Sequence, residues 1–101
     1  MRIAVFLDNI NYREINDGIK TVLLFDVDDS LVRAVGQQLL SIYNINYLIT
    51  WLLAKRVEKV YMREPIEYIR NVIERTGIMT VEPLDKMKDN PLLSSLLIDI
   101  D

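Results

Sequence analysis

Residues 45–62 read INYLITWLLAKRVEKVYM. Ile45, Leu48, Ile49, Leu52 and Leu53 recur at spacings of three and four, the period of a helix that buries one face. Asn44 or Asn46 can cap its start, and Lys55-Arg56 places cations where the carboxyl end of a helix favours them. Almost at once Lys59 to Met62 forms a short continuous apolar run, which reads as a buried strand. A helix that feeds a strand within a few residues is one half of a crossover, and that decides for an α/β fold.

The segments on either side extend this pattern. After Met62, Pro65 stands where a first helical turn tolerates a missing N–H. Ile66, Ile69, Val72 and Ile73 line the face of a second helix, Gly77 takes the position that ends it, and Ile78 to Val81 follows as a strand. Asn90-Pro91 then caps a Leu-rich helix, Leu92 to Ile98. Towards the amino end, Arg2 to Leu7 is a β-branched and aromatic run stopped by Asp8-Asn9, and Asn9 to Lys20 is a polar loop. Thr21 to Val27 places Leu23, Phe25 and Val27 on one face and Val22, Leu24 and Asp26 on the other. Asp28-Asp29-Ser30 supplies a turn, and Leu31 to Val35 returns antiparallel. Asp26 is expected at an edge or paired, because a lone buried carboxylate is costly.

The order is therefore β β β α β α β with an extra C-terminal helix: an α/β domain with a mixed five-stranded sheet and helices on its faces. At 101 residues the chain supports one core, so we read 1–101 as a single domain, with an α/β core over 1–82 and a helical extension over 83–101. Leu92, Leu93, Leu96 and Leu97 of the extension are expected to cover the Leu52–Leu53 side of the first helix.

Composition mainly excludes. Twelve basic residues against fifteen acidic give a net charge of −3, which removes any general attraction to nucleic-acid phosphates. No cysteine and no histidine are present, so disulfides, thiolate and imidazole ligands, cysteine nucleophiles and histidine acid–base chemistry are all excluded. Residues 34–54 carry no charge, but they contain Gln37, Gln38, Asn44 and Asn46, amides that hydrocarbon would not tolerate cheaply. A cytoplasmic protein with no membrane span is expected.

Several stretches carry a resemblance. Met1 to Val5 as an opening strand, Thr21 to Asp29 as a hairpin arm, Leu52 to Val60 as a helix-to-strand passage, and Ile69 to Val81 with its Thr76-Gly77-Ile78 exit are similar to the dinitrogenase iron–molybdenum cofactor biosynthesis family. The likeness covers about residues 1–82. It implies a ribonuclease-H-like motif and an accessory, non-catalytic role in cofactor handling. Family members place glycines at the start of the first helix and after the fourth strand. Tyr43-Asn44-Ile45-Asn46 and Met62-Arg63-Glu64-Pro65 stand there in this chain. The cofactor site is accordingly expected to be degenerate, with no cofactor bound and the ligand open.

In sheets of this kind ligands sit beyond the carboxyl ends of the parallel strands. That rim would bring together Asn9, Asn11, Asn44, Asn46, Arg63 and Glu64, offering amides, one fixed cation and one anion to a small anionic ligand. Arg63 is the member best suited to an anionic group, since a guanidinium can grip it with two parallel N–H bonds. The alternative is a metal-dependent nuclease built on Asp8 and the cluster Asp26, Asp28 and Asp29, because hard cations take carboxylate oxygens. Tyr43, Tyr47 and Trp51, spaced four apart, add an aromatic stripe to the first helix. A helix apolar nearly all round needs cover on more than one side, from the tail or from a second subunit docking on this stripe.

Overall fold

Ile3, Ala4, Val5 and Phe6 are all buried, a run of four with no polar interruption, and the topology explains why. The computed structural model describes residues 1–8, 18–63 and 65–100, with side chains as far as residue 96. Its elements are β1 (Arg2–Asp8), β2 (Ile19–Val27), β3 (Val32–Ser41), α1 (Ile45–Ala54), β4 (Lys59–Met62), α2 (Glu67–Glu74), β5 (Thr80–Pro83), a 3-10 helix (Leu84–Asp89) and α3 (Pro91–Ile100). The sheet runs β3-β2-β1-β4-β5, so β1 is central and covered on both faces. β2 pairs antiparallel with β1 and with β3, whereas β4 pairs parallel with β1 and with β5. This is the expected mixed sheet in the expected order.

Alternation along the strands divides the core in two. Ala4, Phe6, Val22, Leu24, Val60 and Met62 face α1 and α2, where they meet Leu48, Leu52, Ile69 and Ile73. Ile3, Val5, Phe25, Val27 and Tyr61 face the other way, onto Leu84, Met87 and Leu93. The tail therefore does not lie where the sequence suggested. Leu93 is 1% exposed on the face opposite α1, and Leu52 is buried without it. Both crossovers, β3-α1-β4 and β4-α2-β5, advance across the sheet in the same direction. Right-handed connections then put α1 and α2 on one face, and only the opposite face is left for α3 to cover.

Local chemistry sets the ends of α1. The Asn44 side chain accepts from the Tyr47 N–H at 3.4 Å, and it is Asn44 rather than Asn46 that caps the helix. At the other end Arg56 N–H donates to the Leu53 carbonyl and Val57 N–H to that of Leu52, a Schellman arrangement. Its pivotal residue is Arg56 at φ 59°, a conformation that usually selects glycine. α2 exits through Thr76, whose Oγ1 donates to the Ile73 carbonyl and accepts from Ile78 and Met79, and through Gly77 at φ 72°. That turn delays β5 to Thr80, two residues later than the spacing suggested.

The uncharged stretch 34–54 is divided between β3 and α1, and no helix among the described residues is long and apolar enough to cross a membrane. Tyr43 and Tyr47 are exposed, while Trp51 packs partly against the α1-side core.

Candidate functional site

β1 and β4 run side by side with Phe6 opposite Met62, and both end at the same rim. Beyond that end lies a crevice of about 280 Å³. Phe6, Ile42, Met62 and Ile66 supply its apolar walls, and Asp8, Lys20 and Arg63 its charges. Each is placed by a strand end. Asp8 is the last residue of β1, and the antiparallel register sets Lys20 of β2 directly across from it, with Nζ 2.5 Å from Oδ1. Ile42 follows β3 and is held by its N–H donating to the Gly18 carbonyl at 2.9 Å. Arg63 follows β4, and Ile66 leads into α2. Two cations and one carboxylate thus surround an apolar floor, a combination suited to a small molecule with an anionic group and an apolar body.

Among the described residues of the sequence-derived set, Arg63 is the one that lines this crevice. Asn44 and Asn46 lie at the exposed start of α1 and do not line it, Asn44 being engaged as the helix cap. Asn9, Asn11 and Glu64 lie outside the described residues. Lys20, Ile42 and Ile66 did not stand out in the sequence. For Lys20 a signal existed: pairing Arg2 with Asp26 as a cross-strand ion pair puts Lys20 opposite Asp8 by simple counting along two antiparallel strands.

The carboxylate cluster invoked for a nuclease is not assembled. Asp26 pairs with Arg2 at the start of β1 and Asp8 lies at its end, so six residues of strand, about 20 Å, separate them. Asp26 accepts from Arg2 Nε at 2.8 Å and from Nη2 at 3.2 Å, and that hydrogen bonding, assisted by the charges of Arg2 and Arg33, holds its carboxyl below the usual range. Asp28 Oδ1 accepts the Ser30 and Leu31 N–H groups, both at 2.8 Å, and these bonds lower its pKa as well. It serves the β2–β3 turn. Among the described residues no group of three or more acidic side chains is placed to hold a metal ion.

A larger and more open cleft, about 740 Å³, lies at the opposite end of the sheet between Asp26, Arg33, Lys55 and Arg56. Two of its carboxylates, Asp26 and Asp28, are taken up by the contacts just described. It also sits at the amino ends of β1 and β4, away from the rim where parallel sheets bind ligands. No known protein-family model matches the chain, and no curated protein sequence matches it.

Proposed function

We propose that this chain is a non-catalytic binding or accessory domain that takes a small anionic molecule in the crevice between the ends of β1 and β4. The observation that carries the reading is the placement of Lys20 and Arg63 over the apolar floor of Phe6, Ile42 and Met62, at the rim where sheets of this topology bind ligands. The resemblance to the iron–molybdenum cofactor biosynthesis family supports the same role, since the β β β α β α β order is the one it implies. In this reading the ancestral cofactor site is degenerate. Met62 and Arg63 stand where bare backbone would otherwise approach a cluster, and a chain without cysteine or histidine has no soft ligand to give one.

Anilinonaphthalene sulfonate, an aromatic body with one sulfonate, is a suitable probe. It should bind the parent protein and show a dissociation constant about tenfold or more higher for Lys20→Ala and for Arg63→Ala, the loss of one charge-assisted hydrogen bond. Its uncharged analogue phenylnaphthylamine should bind weakly to all three. Unchanged sulfonate binding in both variants would remove the crevice as the site.

A further inference from the structure

The two edges of the sheet are treated very differently. At the β5 edge the Val81 N–H donates to Glu74 Oε2 at 3.0 Å and its carbonyl accepts from Arg70 Nη2 at 3.3 Å. Side chains of α2 thus occupy the groups that another strand would use. β5 is also only four residues long and ends on Pro83. Short length, proline and side-chain cover are the usual protections of an edge.

β3 has ten residues, no proline and a single charge, Arg33. Its amino-terminal half is blunted by Arg33 and by a bulge opposite Leu24 and Phe25, whereas Gly36 to Ser41 runs regularly along β2. Ile42 N–H points to β2, where it meets the Gly18 carbonyl, so Leu40, Gln38 and Gly36 turn their backbone groups the same way. Gln37 and Leu39 therefore present both of theirs to the open edge, and Ser41 its N–H, its carbonyl accepting from the Asn44 N–H at 3.3 Å. Among the described residues no side chain is bonded to those of Gln37 or Leu39.

Leu39 is the exposed large hydrophobic residue of this regular stretch. It is 47% exposed, with Gln37 and Ser41 two residues away on either side. A Cβ on Gly18 would overlap the Tyr43 ring, so the small residue there seats the tyrosine at the end of the strand. A two-fold axis through Leu39, perpendicular to the sheet, sets Leu39 against its own copy and Gln37 against Ser41. Each pair has like parity, so each side of one sheet continues into the same side of the other. A surface that matches itself under a two-fold axis is what an isologous dimer requires. The absence of charge over residues 34–54 spares this contact the like-charge repulsion that most surfaces would meet in self-association.

We infer that the chain forms a homodimer by antiparallel pairing of β3 with β3 of a second copy, centred on Leu39, giving one continuous ten-stranded sheet. Of the aromatic stripe, Trp51 stays against its own core.

The centre of symmetry provides the test. Parent protein should sediment as a dimer at 100 µM. Leu39→Lys and Leu39→Glu should each weaken association about tenfold or more, because each sets two like charges across the axis. An equimolar mixture of the two should regain the dimer, since only then do opposite charges meet. As an independent measurement, a short bismaleimide should cross-link Leu39→Cys, in a chain with no other cysteine, far more efficiently than the β5-edge variant Glu82→Cys. A monomeric parent, which would leave the edge to some other occupant or to none, overturns the inference. So does a mixture that stays monomeric, or equal cross-linking of the two cysteine variants.

Discussion

Asp26 sits in a strand between Phe25 and Val27, both buried, yet its carboxylate costs little because Arg2 on the neighbouring strand meets it with two hydrogen bonds. The same guanidinium also donates to the Lys55 carbonyl at 3.0 Å, so one arginine joins β1, β2 and the end of α1. The bonds favour the ionised carboxylate and set its folded pKa below the unfolded value. The resulting stability is fully present above the unfolded pKa of about 4 and is lost as pH falls through the folded value. Asp26→Asn should therefore be less stable than the parent at pH 7 in urea unfolding. The gap should close as both are taken below about pH 3. A gap that persists unchanged in acid would show that the ion pair is not its source.

Elements differ in how strongly the sequence marks them. Runs with strong period, α1 over 45–54 and β4 over 59–62, lie where the sequence put them. β3 was expected to end at Val35 and instead continues to Ser41. Gly36, Gln37 and Gln38 break the alternation that marks a half-buried strand, and β2 alone supplies the pairing that carries the backbone onward. An edge strand needs no such alternation, so it left no periodic trace. The 3-10 helix over Leu84–Asp89 had no signal of its own, because its buried Leu84 and Met87 are defined only by the sheet face beneath them. The crevice was partly legible. Arg63 follows from its place after a strand, whereas Ile42 and Ile66 join through three-dimensional proximity alone. The position of α3 can be checked directly. Leu93→Ala should cost about 2–5 kcal/mol in urea unfolding, the usual range for emptying a buried leucine site. Leu53→Ala, at an exposed position of α1, should cost within about 0.5 kcal/mol. The reverse order would place the tail over α1 after all.

The molecule as a whole has two half-cores that share one sheet, and β1 contributes alternate side chains to each. Losing either layer of helices would strip the support from a strand that the other layer needs, so the two should unfold together. Met79 is buried on the α1 side and Met87 on the α3 side. Their methyl NMR signals should disappear at the same urea concentration, and separate midpoints would show that the halves are independent. The central position of β1 has another consequence, for synthesis. β1 leaves the ribosome about fifty residues before β4, which is to lie against it. At common elongation rates that interval is on the order of seconds. The nascent three-stranded meander, complete only once Ser41 is made, spends the rest of it with Ile3, Val5, Phe25 and Val27 uncovered on one side and β1 still lacking its second neighbour. A chaperone that recognises short apolar strands would find its substrate in β1 then, during translation, and no longer once β4 and the helices cover that strand.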